Sequence, residues 1–226
     1  MITSEPRTLA LIGSPAGEKS TSEQLARYML DALADAGHQT ECLYVQKLIR
    51  TDAGGGQLLA AVAAADTLLL VFPVYVDAVP APLTRLMERI ADARRDVAAN
   101  DKRLAAVVQC GFPEQIHTRP ALAICERFAV AAGFEWVGGI GFGMGGMIGG
   151  RPFDKAPPPV RRVVESLDEL VAACRDGRPL PATADGRLAR PFLPCWLYTF
   201  MGTQAFKKRA HAAGLARADL FRQPYA

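Results

Sequence analysis

Thr67-Leu68-Leu69-Leu70-Val71-Phe72-Pro73-Val74-Tyr75-Val76-Asp77-Ala78-Val79-Pro80 is the stretch whose reading decides the fold. Residues 68–72 are apolar without alternation, which predicts a strand covered on both faces, as in a parallel sheet. The run ends at Pro73, and Pro73, Pro80 and Pro82 limit the following loop to few backbone conformations. Residues 67–76 are also the longest strongly apolar stretch, far too short for a membrane-spanning helix.

Four further apolar runs, at residues 8–12, 40–45, 104–110 and 136–142, alternate with segments of helical spacing at 22–36, 56–64, 80–93, 119–132 and 159–175. The first of these carries Leu25, Met29, Leu30 and Leu33 on one stripe and stops at Gly37, a C-terminal signal. Five such βα units joined by right-handed crossovers predict an α/β fold with a doubly wound, five-stranded parallel sheet. The 226 residues are half apolar and 22% charged, which excludes disorder as the main state and suits one large domain with an appendage. We assign residues 1–178 to the domain. Residues 179–226 form a C-terminal helical extension, Pro- and Arg-rich, then aromatic, then basic, with a helix at 204–213, packed on the domain or on a partner subunit.

The excess of 26 Lys and Arg over 23 Asp and Glu leaves +3, too little to imply nucleic acid. Lys207-Lys208-Arg209 reads as a solvated helix face. Cys42, Cys110, Cys125, Cys174 and Cys195 are odd in number, widely spaced and without a CxxC pair. That pattern disfavours a disulfide framework, a zinc site and an iron–sulfur cluster. No secretory peptide is visible at the start, so the expected compartment is the cytoplasm. His38, His117 and His211 lack metal-ligand spacing, and no metal is expected.

In an open parallel sheet ligands bind beyond the carboxyl ends of the strands. After the first strand comes Gly13-Ser14-Pro15-Ala16-Gly17-Glu18-Lys19-Ser20-Thr21-Ser22, leading into a helix. Its small residues, its hydroxyls and the helix N-terminus suit a phosphate, though a Ser-rich cap alone would read similarly. It is not a Walker loop, which needs Gly-Lys-Ser/Thr. After the third strand, Pro73, Val74, Tyr75 and Val76 offer backbone groups and a flat aromatic face to a planar ring. After the fourth, Gly111-Phe112-Pro113-Glu114 adds a close-approach glycine, a second aromatic and a carboxylate.

Together these three segments resemble the flavodoxin-like NAD(P)H-dependent FMN reductases and related oxidoreductases, over roughly residues 7–150. The resemblance implies FMN as cofactor and NADPH or NADH as co-substrate. It places the phosphate on Ser14, Ser20, Thr21 and Ser22, and the isoalloxazine ring against Pro73, Val74, Tyr75 and Val76, with Gly111, Phe112 and Glu114 closing its other edge. Many relatives carry a basic residue soon after Gly-Ser, where this chain has Ala16; Lys19 is the nearby substitute. Since the flavin carries the chemistry, no triad is expected, and Tyr75 and Glu114 are the candidates for direct influence.

Gly141-Phe142-Gly143-Met144-Gly145-Gly146 matches the GxGxxG dinucleotide pattern, but Met147-Ile148-Gly149-Gly150-Arg151-Pro152 is poor helix material. The glycine-rich stretch that follows the fifth strand, to residue 150, is therefore read as a mobile loop near the flavin or a subunit contact. The apolar segment 191–200 demands a cover, and a homodimer is expected. The acceptor implied is a small quinone, flavin, nitro or azo compound. The alternatives are a flavodoxin-type electron carrier, which is usually shorter and acidic, and a flavin-free binding module.

Overall fold

A computed structural model describes residues 5–95, 102–148, 153 and 158–223. Five strands, β1 (Arg7–Ile12), β2 (Gln39–Tyr44), β3 (Thr67–Pro73), β4 (Arg103–Gln109) and β5 (Glu135–Phe142), form one parallel sheet in the order β2-β1-β3-β4-β5. The helices are α1 (Thr21–Asp35), α2 (Val45–Leu48), α3 (Asp52–Ala64), α4 (Ala81–Ala93), α5 (Arg119–Ala131), α6 (Arg161–Asp176), α7 (Ala182–Gly186) and α8 (Cys195–Ala212). Strand order reverses between β1 and β3, so their following loops diverge and leave a crevice at that end of the sheet.

The unalternating strands feed two cores. Ala10, Ile12, Leu69, Val71, Ala105 and Val107 face α1 and α6, meeting Leu25, Met29, Leu33, Val163 and Leu167. The intervening Leu9, Leu11, Leu68, Leu70, Leu104 and Ala106 face α3, α4 and α5, meeting Leu58, Leu83, Leu86 and Phe128. Each leucine buried this way contributes about 1.5–3 kcal/mol, and a polar residue at any of these positions would lose that and need a partner.

α1 begins at Ser20, whose side chain accepts the Glu23 N–H at 3.2 Å, and it closes through Gly37, where φ is +88°. α3 starts at Asp52, four residues before the glycine run of the sequence lets periodicity detect it. Thr51 caps it by accepting the Gly54 N–H at 3.1 Å, and Gly54 lies against the Leu48 backbone, where a side chain has no room.

The glycine-rich stretch begins inside the fifth strand. Gly138, Gly139 and Gly141 lie within β5, as the 136–142 run predicts. At Gly138 φ is +139°, a Cβ would stand 2.6 Å from Leu180 Cβ, and the ladder to β4 shifts register there. The Val137 carbonyl at this irregularity accepts the Leu180 N–H at 2.7 Å, so the extension covers the outer edge of β5. Beyond β5 the described residues form a short 3-10 turn at Gly145–Met147; Gly149, Gly150, Arg151 and Pro152 lie outside the described residues.

The extension has two parts. Residues 179–193 join the first core through Ala184, Leu188 and Phe192, and Asp185 accepts the Gly141 N–H at 2.9 Å and the Gln115 amide at 2.7 Å. α8 follows, beginning nine residues earlier than the periodicity suggests, because Cys195–Phe200 is apolar on every face and shows no stripe. No residue of α8 is buried. Among the described residues no helix is long and apolar enough to cross a membrane.

Candidate functional site

Three loops leave the carboxyl ends of β1, β3 and β4. In the first, a Cβ on Gly13 would stand 2.8 Å from Phe72 Cβ, so glycine lets the loop turn directly over β3. Ser14 is buried, and its Oγ accepts the Ala16 N–H at 3.3 Å. Positive φ at Gly17 and Lys19 curls the loop into the first turn of α1, whose N–H groups have no intrahelical acceptor. Glu23 reaches back to accept the Lys19 N–H, and its other oxygen accepts from Tyr44 Oη at 2.6 Å and Arg27 Nε at 2.7 Å. Burial alone would push this carboxyl up, but these hydrogen bonds outweigh it and hold the group below the usual range.

The hydroxyls of this loop are unequally engaged. Ser20 caps α1, and Thr21 donates to the Gly145 carbonyl at 3.4 Å. Ser22 is fully buried at the second position of α1, and its Oγ has no hydrogen-bond partner. A buried hydroxyl left alone costs free energy of desolvation, so an orphan here fits a loop whose donors are completed by a bound anion.

In the third loop, Val74 N–H bonds the Gln109 carbonyl at 2.9 Å, and Tyr75 and Ala78 exchange both backbone bonds at 3.2 Å. The turn between them holds Val76 at φ +52° and Asp77 at φ +55°. Two consecutive left-handed residues make a type I′ turn, which favours Asn-Gly; a β-branched valine there is strained. Val76 is 99% exposed and projects into solvent, while Tyr75 is half exposed.

In the fourth loop, Gly111 accepts from Tyr198 Oη of α8 at 2.9 Å, and the exposed Phe112 ring lies 4.6 Å from the His117 ring. His117 Nδ1 meets Asp77 Oδ1 at 3.0 Å, tying the fourth loop to the third. Glu114 turns outward to the Cys195 thiol, 3.9 Å from Oε1. Cys110 is buried, which pushes its thiol up, and its Sγ lies 3.5 Å from the Phe112 carbonyl. It is not poised to react. Residues 144–145 tie the fourth loop to the start of α1: Met144 N–H bonds Phe112 O at 2.7 Å, Gly145 N–H bonds Cys110 O at 2.8 Å, and Gly145 O receives Thr21. The GxGxxG match is thus a strut, with Gly143 pressed against the Phe112 and Pro113 carbonyls.

Two openings lie at the switch point. A groove of about 490 Å³ is lined by Gly13, Pro15, Gln46, Tyr75, Val79 and Pro80, together with Ala81 and Pro82. A hollow of about 160 Å³ is lined by Ser14, Pro15, Ala16, Gly17, Tyr44, Gln46, Lys47 and Arg50, and shares Pro15 and Gln46 with the groove. Of the residues singled out from sequence, Ser14 lines the hollow and Tyr75 the groove. Ser20, Thr21 and Ser22 form the start of α1, Pro73 and Val74 stand behind the turn, and Gly111, Phe112 and Glu114 do not line the groove. Asp77, Tyr198, Glu23 and the α2 side chains were not distinguished by sequence; the contacts Asp77–His117, Tyr198–Gly111, Glu23–Tyr44 and Lys47–Glu18 each join residues more than twenty positions apart.

The model of the NADPH-dependent FMN reductases matches residues 6–139. The chain belongs to this family. As a member it uses FMN with NAD(P)H as co-substrate, on a flavodoxin-like fold. No curated protein matches the chain. Among solved structures, an NADH:FMN oxidoreductase in its apo form is 20% identical, with a TM-score of 0.59 over 84% of this chain and 96% of that one. An FMN-dependent NADH-azoreductase from Bacillus anthracis, in complex with FMN, is 13% identical, with a TM-score of 0.53 over 76% of this chain and 98% of that one. The rubredoxin oxygen:oxidoreductase of Desulfovibrio gigas is 13% identical with a TM-score of 0.54; the matched part covers 82% of this chain but only 38% of that protein. At these identities the likeness is one of fold. The residues of the first loop fit a phosphate, given the buried orphan hydroxyl of Ser22 at the start of α1.

Proposed function

We propose that the protein takes hydride from NAD(P)H and reduces a small planar acceptor, a quinone, flavin, nitro or azo compound. FMN, when bound, supplies the electron transfer. The protein's part is to hold and orient it. In this reading Ser14, Ser20, Thr21 and Ser22 hold the phosphate and the backbone of Pro73–Val76 and the Tyr75 face support the ring; Gly111, Phe112 and Glu114, which the resemblance puts at its far edge, do not line the groove. The observation that carries it is the open groove between the first and third loops, apolar along Tyr75, Val79 and the prolines and continuous with a polar hollow. A groove open to solvent admits co-substrate and acceptor in turn, and it holds no acid or nucleophile that would commit the site to another reaction.

The electron-carrier reading needs a charged docking face, and an excess of three basic residues does not supply an acidic one. The homodimer belongs to the same proposal: Trp196, Phe200, Met201 and Phe206 of α8 are exposed, beside a helix end anchored to the fourth loop by Tyr198. The test is spectroscopic. The purified protein should take up FMN with a shifted visible spectrum and bleach on anaerobic addition of NADPH or NADH. Bound flavin that stays oxidised would establish a carrier, and no flavin uptake would refute the reading.

A further inference from the structure

The short helix α2 presents charge to the first loop from across the hollow. Val45 and Ile49, one turn apart, are buried and pin it to the second core. Gln46 and Lys47 of the helix, with Arg50 just beyond its end, line the hollow together with Ser14, Ala16 and Gly17. With its amide oriented to satisfy both neighbours, Gln46 donates to the Pro15 carbonyl at 2.9 Å and accepts from Arg50 at 3.2 Å. That fixes the distance between α2 and the loop.

The charges do not cancel. Lys47 is paired with Glu18 at 2.7 Å and lies 5.0 Å from the centre of the Tyr44 ring. Arg50 has no carboxylate within ion-pair distance among the described residues, and no Asp or Glu lines the hollow. Ser14 Oγ accepts from Ala16, which leaves its hydroxyl hydrogen free to donate. A surplus guanidinium, a free hydroxyl and the loop backbone therefore converge on about 160 Å³. That is room for one phosphate group with a little solvent.

We propose that Arg50, supported by Lys47 and Gln46, forms the cationic wall of a phosphomonoester subsite for the nucleotide whose ring occupies the adjoining groove. The inference rests on the proposed flavin reading. It assigns to α2 the positive charge that the first loop lacks at Ala16. The planar fork of arginine matches a phosphate bidentately, and a site walled on one side selects phosphorylated over unphosphorylated ligands. The phosphomonoester could be the 5′-phosphate of FMN or the 2′-phosphate of NADPH; both have the same chemistry, and the test separates them.

The experiment compares the full-length protein with Arg50→Ala and Arg50→Lys, titrating FMN and riboflavin by flavin fluorescence and measuring KM for NADPH and NADH. Arg50 is exposed, so the variants should fold, which circular dichroism checks. If the subsite holds the flavin phosphate, Arg50→Ala weakens FMN about tenfold or more and leaves riboflavin unchanged. If it holds the 2′-phosphate, the KM for NADPH rises by a similar factor with that for NADH unchanged. In either case Arg50→Lys recovers part of the loss. Arg50→Ala leaving both ratios as in the parent overturns the subsite while the flavin reading stands. A parent protein that takes up neither FMN nor riboflavin overturns the functional reading, and the subsite with it.

Discussion

Replacing Val76 by Asn tests whether the tip of the third loop stores strain. Val76 stands at φ +52° in a turn whose two central residues are both left-handed, and the Tyr75–Ala78 backbone pair holds it there. For an L-residue that region costs roughly 1–2 kcal/mol through the contact of Cβ with the following carbonyl, and a β-branched side chain sits at the upper end. Asparagine tolerates it, and because Val76 is 99% exposed the exchange forfeits no burial. Val76→Asn should therefore stabilise the protein by about 1 kcal/mol, read as a rise in Tm of roughly 2–4 °C for a chain of this size. Glycine would gain less, since its extra freedom in the unfolded chain takes back about 0.5–1 kcal/mol. The control is Val130→Asn in α5, equally a solvent-facing valine but in a right-handed helix, where no gain is expected. Thermal and urea unfolding of the three proteins decide the matter. A Val76→Asn variant no more stable than its parent, or a gain matched at Val130, would refute the argument that the turn is strained.

Three further outcomes follow from the same geometry. The Glu23 carboxyl is held below its ordinary value of 4.5, so its contribution to stability is present above that value and lost as pH falls through the lower folded value; Glu23→Gln should flatten the acid limb of a pH–stability curve. Ser22→Ala removes a buried hydroxyl that has no partner, so the ligand-free protein should be unchanged or more stable by up to about 1 kcal/mol while FMN binds more weakly, and a stability loss above about 1 kcal/mol would show the hydroxyl to be satisfied by the protein itself. Truncation after Pro194 removes α8, which buries no residue fully but anchors Tyr198 Oη on the Gly111 carbonyl, so stability should fall by only about 0.5–1.5 kcal/mol. If the proposed dimer forms through α8, sedimentation should show the truncated chain as a monomer; an unchanged dimer would exclude α8 from the contact.

The sheet was legible because its physics is local. Strands covered on both faces need apolar residues at every position, and Leu68–Phe72 or Leu104–Val108 cannot be read otherwise. Helix α1 announced itself through its stripe and its terminal Gly37. Right-handed crossovers make the five βα units a doubly wound sheet, but they allow more than one strand order; β2-β1-β3-β4-β5 is the flavodoxin-like one that the resemblance implies. What escaped detection depends on partners far away in the chain. The strand at 136–142 was legible, but the reason it carries Gly138, Gly139 and Gly141 was not: they are small to admit Leu180, Leu122 and Thr118, which no window on the sequence contains. α8 looked like an uncommitted apolar segment because a helix that is apolar on every face has no period to find.

The candidate site divides the same way. The three loops were legible as unusual in composition; how they are joined was not. Asp77 reaches His117 across forty positions, Thr21 reaches Gly145 across more than a hundred, and Tyr198 returns from the extension to Gly111. These links join the three loops, with residues 144–145 as the hub between the first and fourth and the His117–Asp77 contact holding the fourth to the third. A ligand held by the first loop therefore sits on a segment joined through Thr21 and Gly145 to the fourth loop and, through His117 and Asp77, to the third. The hub also explains why a nucleotide fingerprint appears at residues 141–146 without a nucleotide site. Gly143 and Gly145 lie against the Pro113 carbonyl and the Gln109 side chain, where a Cβ would collide, so the spacing that resembles a phosphate cradle is set by the closeness of β5 to the fourth loop.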